Sequence, residues 1–181
     1  LYDAHSSRQL DRIYCQNRAT GSLLMMRAAS AVFDKLKGFD AGGKIWCLAG
    51  AGNNGGDAYG VAALALLKQR AVCLISCGAA LDPLHPVSVF AKELGLDTQA
   101  DLPDLKQISP GDIIVDGLLG IGLNRPPEGD IKTAINWVNQ ARKNGAHVIA
   151  IDVPSGLDAS SGRAPGAAIT ADITMMCLTR K

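Results

Sequence analysis

Apolar positions along this chain follow two rhythms. Over residues 6–18 and 22–37 they recur at helical spacing. Leu10, Ile13 and Tyr14 mark one face of the first segment, and Leu24, Met25, Ala28, Val32 and Leu36 one face of the second. Thr20-Gly21 separates the two, and Ser22 is placed to cap the second helix. From Ile45 onward the rhythm changes to short continuous apolar runs at 45–48, 71–76, 112–116, 147–151 and 173–178, each bounded by glycine, proline or polar turn residues. Between them lie helical stretches expected at 57–69, 86–94 and 128–144, while the polar, proline-broken segment 97–111 is read as a connection with at most one short strand. Strands that are apolar throughout, alternating with helices, specify an α/β fold whose parallel sheet is covered on both faces.

In such a sheet ligands bind beyond the carboxyl ends of the strands, and the unusual chemistry of this chain falls there. Three strands run into polar, glycine-rich loops: GAGNNGGD (50–57), DGLLGIGLNRP (116–126) and DVPSGLD (152–158). In the first, Gly50, Gly52 and Gly55 have the spacing G-x-G-x-x-G, and Gly56 follows. A helix expected to begin near Gly56 would aim its N–H groups and positive dipole end at the loop, which suits a phosphate. On this reading the glycines let the main chain approach the ligand, so a larger residue at Gly55 or Gly56 should remove binding and spare the fold. An ordinary hydride-transfer dinucleotide fold is disfavoured, because it needs an acidic residue after the second strand. Here that strand runs into Ser76-Cys77-Gly78, and no carboxylate appears before Asp82.

The polar residues of the loops have structural as well as chemical readings. Asn53, Asn54 and Asp57 could shape a turn or cap a helix. Asp116 ends an apolar strand, where a carboxylate is costly to bury unless it is paired or binds a cation, although a loop-bracing role is open to it as well. Asp152 could act as general acid or base, or merely form an Asx-turn. Arg125 could face a phosphate or solvent. The oxygen-rich set of Asn54, Asp116 and Ser155 carries one full negative charge, which suits a monovalent ion better than Ca²⁺ or Mg²⁺.

Composition narrows the partners. A chain of 181 residues is enough for one domain with a proper core and too little for two comfortable ones. With a formal net charge of +1 it lacks the electrostatic footprint of a nucleic-acid or anionic-membrane binder. No run approaches a membrane span, and no signal peptide is expected. Cys15, Cys47, Cys73, Cys77 and Cys177 are odd in number and at least three lie in apolar runs, so they read as buried free thiols of a reducing compartment. His5, His85 and His147 are scattered, which argues against a transition-metal site. A cytoplasmic location is expected, with a trimmed organelle-targeting segment as the alternative, since the chain begins at Leu1.

The loops GNNGGD (52–57), VDGLLGIGLNRP (115–126) and IDVPSGLDASSG (151–162), with LMMRAAS (24–30) in the leading helices, resemble the signature segments of the NAD(P)HX epimerases. The resemblance covers essentially the whole chain and rests on three ordered motifs. It implies a three-layer α/β/α Rossmann-like fold with a mostly parallel central sheet, one domain over 1–181, with the family's last strand lying past Lys181. It implies substrate contacts from Asn53, Asn54, Gly55, Gly56 and Asp57, from Gly120, Ile121, Gly122, Leu123, Asn124, Arg125 and Pro126, and from Asp152, the candidate catalytic residue. It also implies a potassium ion on Asn54, Asp116 and Ser155, a homodimer, and an ADP- or ATP-dependent dehydratase as fusion or working partner. The implied reaction interconverts the R and S epimers of hydrated NADH and NADPH. A non-catalytic binding or dimerisation module of the same fold is the alternative. Two positions depart from the family pattern: Ala58 stands where glycine is common, and Met26 where glutamate is common.

Overall fold

A computed structural model of the chain describes residues 18–39, 42–123 and 125–176. The helix expected over 6–18 lies outside the described residues apart from Arg18, as do Asn124 and the end of the last expected strand. Six strands form one sheet: β1 Ile45–Ala49, β2 Val72–Ser76, β3 Thr98–Gln99, β4 Ile113–Gly117, β5 His147–Ile151 and β6 Ile173–Met175. Their order is β3-β2-β1-β4-β5-β6 and every pairing is parallel. Strand order reverses between β1 and β4, so a crevice opens beyond the ends of those two strands.

The helices are α1 Arg18–Leu36, α2 Asn53–Leu67, α3 Pro86–Glu93 and α4 Gly129–Lys143. Alternate side chains of the central strands β2, β1, β4 and β5 feed two separate cores. Ile45, Cys47, Val115 and Ile149 pack with Val32 and Leu36 of α1 and Val61 and Ala62 of α2. Trp46, Leu48, Ile114 and Val148 pack with Ile135, Val138 and Ala141 of α4 on the other face. This double burial is why the strands read as unbroken apolar runs, and each fully buried Leu or Ile contributes roughly 1.5–3 kcal/mol. The layers are α/β/α, as the resemblance implies. Cys47, Cys73 and Cys77 are buried free thiols.

Two boundaries differ from the periodic reading. Helix α1 runs through Thr20-Gly21 instead of starting at Ser22, so Ser22 is not its cap. A glycine inside a helix costs about 1 kcal/mol, which the packing of Met25, Ala29 and Val32 into the core exceeds. Helix α2 starts at Asn53, three residues before Gly56, so NNGGD forms its first turns and is not a free loop. Ala58 is therefore a fully buried residue of the helix interior. Met26 packs against the core on the α1–α2 side.

Two buried or half-buried carboxylates fix the sheet. Asp112 accepts from the Lys44 and Ser109 N–H groups and from Trp46 Nε1, joining the entries of β1 and β4. Asp172 accepts from Val148 N–H and from the Arg142 guanidinium, tying β6 and α4 to β5.

Candidate functional site

The site begins with a backbone interlock. Gly50 donates its N–H to the Gly117 carbonyl, joining the exits of β1 and β4. A Cβ on Gly50 would collide with the Leu118 carbonyl, and one on Gly55 with the Gly50 carbonyl. These two glycines therefore serve the close approach of three protein segments, with the first turn of α2 seated between two strand ends. Gly56 faces Met25 of α1 in the same inward sense. The expectation that a larger residue would spare the fold is thus overturned at Gly55, where the colliding atom is a backbone carbonyl, whereas at Gly56 the neighbour is the flexible end of Met25, which can move aside.

Gly52 is different. It is the N-cap of α2, is exposed, has open space where a Cβ would stand, and is not assisted by a capping side chain. The first N–H groups of α2 are left facing the crevice, an arrangement suited to an anion.

Beyond the strand ends lies a cavity of about 470 Å³. Among the expected contact residues, Asn53, Asn54, Gly120, Ile121, Gly122, Leu123 and Asp152 line it. Gly55, Gly56 and Asp57 are buried behind it in α2. Arg125 and Pro126 are exposed and are not among its lining residues, and Asn124 lies outside the described residues. Gly50, Ala51, Gly52, Cys77, Ala79, Leu118, Leu119 and Ile131 complete the wall. Cys77 and Ala79 directly follow β2, so the strand-end rule could have found them; nothing in the pattern marks Ile131.

The three candidate metal ligands converge. Asp116 is fully buried and accepts from Ser155 N–H at 2.8 Å, from Ser155 Oγ at 2.5 Å and from Leu118 N–H at 3.2 Å. Burial pushes its carboxyl up to about 6, with the Ser155 and Leu118 hydrogen bonds opposing the rise. Ser155 Oγ also accepts from Leu119 N–H, and Asn54 Nδ2 donates to the Leu119 carbonyl at 2.8 Å. Asn54 is 6% exposed, and its Oδ1 is buried without a hydrogen-bond partner among the described residues. Asp116 and Ser155 are bonded directly, and Asn54 is tied to Ser155 through Leu119. A buried carboxylate, a hydroxyl and an unsatisfied amide oxygen make a donor set that fits a hard monovalent cation. No cluster of three or more His, Cys, Asp or Glu side chains suited to a metal occurs among the described residues.

Asp152 follows β5 with φ +68°. Its peptide is closed by a bond from Val153 N–H to the Ile151 carbonyl at 2.8 Å, a γ-turn of the rarer, strained hand. Its own N–H donates to Met175 of β6 at 2.8 Å. Asp152 is 7% exposed, and Oδ1 is buried with no hydrogen-bond partner among the described residues. A carboxylate held in strained backbone, short of a partner and facing a cavity has the marks of a functional group.

Comparison with known proteins agrees with this geometry. The family model for the YjeF-related protein N-terminus matches residues 21–181. The NAD(P)H-hydrate epimerase of Limosilactobacillus fermentum is 36% identical over 84% of this chain and 73% of its own length. The bifunctional NAD(P)H-hydrate repair enzyme of Escherichia coli is 36% identical over 87% of this chain and 30% of its own. The crystal structure of a yeast protein superposes with a TM-score of 0.74 at 19% identity, covering 97% of this chain and 79% of that one, a likeness of fold. With its family match, its relatives and its fold in agreement, this chain belongs to the YjeF-related N-terminal family, that of the NAD(P)H-hydrate epimerases.

Proposed function

We propose that this chain interconverts the R and S epimers of hydrated NADH and NADPH. The observation that carries the reading is Asp152: a buried, strained carboxylate with an unsatisfied oxygen, lining a cavity across the switch point of a dinucleotide-type sheet. The substrate bears a hydroxyl on the ring carbon beside the ring nitrogen. As the nitrogen lone pair expels that hydroxyl, Asp152 serves as the proton donor to it, and water leaves a planar iminium-like ring. Water then adds from the opposite face and returns a proton to the Asp152 carboxylate. The cycle inverts one stereocentre with no net change in protons or redox state. The carboxylate also stabilises the positive charge that develops on the ring. No redox cofactor is consumed, because the nucleotide is itself the substrate.

Asn53 and the first turn of α2 would hold the pyrophosphate, and Gly120 to Leu123 would cover the ring side of the site. Asn54, Asp116 and Ser155 would hold potassium, which when bound supplies a fixed positive charge that neutralises Asp116 and braces the three loops. A homodimer and a dehydratase partner complete the proposed setting. The dehydratase is motivated by relatives named as bifunctional repair enzymes. No helix among the described residues is long and apolar enough to cross a membrane.

The test is chromatographic. Starting from a single purified epimer, wild-type protein should bring the mixture to equilibrium much faster than buffer alone. Equal rates with and without protein would leave a binding module in place of an enzyme.

A further inference from the structure

The cavity is longer than one ring requires. Its wall is built from the ends of four adjacent strands: Asp152 after β5, Leu118 to Gly120 after β4, Gly50 to Gly52 after β1, and Cys77 and Ala79 after β2. Neighbouring strands lie about 4.8 Å apart, so three steps from β5 to β2 span roughly 14 Å. The two rings of an extended dinucleotide lie a comparable distance apart.

The two ends differ in chemistry. At the β5 end stand Asp152 and the Asn54 amide. At the β2 end the lining consists of Cys77, Ala79 and Ile131, with no ionised or amide side chain among them. Cys77 N–H donates to the Ala49 carbonyl at 2.9 Å, which extends β2 by one residue and fixes the thiol at the cavity wall. Burial, and then the nearby Asp130 and Asp116, push that thiol up to about 12, so it stays neutral and presents an apolar surface. Ile131 stands over Gly78, so that its Cδ1 would lie 3.6 Å from a Cβ at that position. Between the two ends lies the open N-terminus of α2 at Gly52.

We propose that Cys77, Ala79 and Ile131 form the adenine subsite, so that the dinucleotide lies across the switch point with its hydrated ring at Asp152. The inference rests on the epimerase reading for the identity of the substrate. The reverse orientation would put the reacting ring beside a neutral thiol and two aliphatic side chains, with no group able to move its proton. In the assigned orientation the pyrophosphate crosses the first turn of α2, where N–H groups face it, and the flat adenine buries its faces against apolar wall.

Two variants at half-exposed or exposed positions test it: Ile131→Ala, which removes the wall, and Ala79→Glu, which places a charge in the subsite. Circular dichroism confirms that each is folded. Isothermal titration with AMP should show binding to wild type and weakening by about tenfold in each variant, with nicotinamide mononucleotide unaffected. KM for the hydrated dinucleotide should rise correspondingly, while kcat/KM for the hydrated reduced mononucleotide stays at the wild-type value. Wild-type protein that binds no AMP, variants that bind it undiminished, or equal losses on mononucleotide and dinucleotide would overturn the subsite. Wild-type protein that interconverts neither hydrate would instead overturn the reaction, and the AMP titration alone would then decide whether the subsite takes adenine.

Discussion

Asp152 and Gly55 show how differently two residues of one site constrain it. Asp152 occupies backbone that a non-glycine residue rarely adopts, a strain of order 1–3 kcal/mol that the bonds to Ile151 and Met175 help to hold. Gly55 is held by protein from the other side. Gly55→Ala should destabilise the fold by about 1–3 kcal/mol or more, because the colliding atom is a backbone carbonyl that cannot rotate away. Urea unfolding checks this, and a variant as stable as wild type would return Gly55 to the role of ligand cradle. Spacing alone marks that a Cβ is unwelcome at Gly55; it does not say whether ligand or protein does the excluding. Asp116, Ser155 and Asn54 were legible as a group because each sits at or just beyond a strand's carboxyl end. The unsatisfied oxygens of Asn54 and Asp152 were not, since they depend on partners that only the fold brings near or withholds.

At the scale of elements, the strands were the most legible part, because apolar runs bounded by turn residues leave little choice of boundary. Helix α2 was misplaced at its start. Asn and Gly are poor helix formers, and local preference reads NNGG as loop, while tertiary seating between β1 and β4 winds it into helix. The junction of α4, β5 and β6 rests on Asp172 rather than on apolar contact alone. Burial would raise its carboxyl, but the Arg142 guanidinium and the Val148 N–H together hold it below the ordinary aspartate value. A carboxyl depressed in the folded state contributes stability that is present above its unfolded pKa, near 4, and lost as pH falls through the lower folded value. Asp172→Asn should therefore lower the urea midpoint at about pH 6 and narrow its gap from wild type as pH drops below about 4. A gap that stays constant on acidification would mean that Asp172 contributes shape and not charge.

For the whole molecule, the doubly covered parallel sheet and its crevice follow from the alternation of runs, whereas the order β3-β2-β1-β4-β5-β6 emerges only in three dimensions. That order brings Asp116 and Ser155 into contact and ties Asn54 to them through Leu119, although the three lie on separate segments. If they hold a monovalent cation, exchanging potassium for tetramethylammonium should lower the thermal midpoint. A ligand at a hundredfold excess over its Kd stabilises by about 2.7 kcal/mol. Asp116→Asn should erase the difference between the two salts. Wild-type protein that melts identically in both would remove the cation from the account.

The most direct test of the central claim sets wild type beside Asp152→Asn in the epimer-interconversion assay, with spontaneous exchange subtracted. The substitution keeps the shape of the side chain and removes its capacity to carry the proton. Proton transfer by a positioned side chain contributes about 10²–10⁴-fold, so kcat should fall within that range while KM changes far less. A folded Asp152→Asn protein that interconverts the epimers at the wild-type rate would contradict the account.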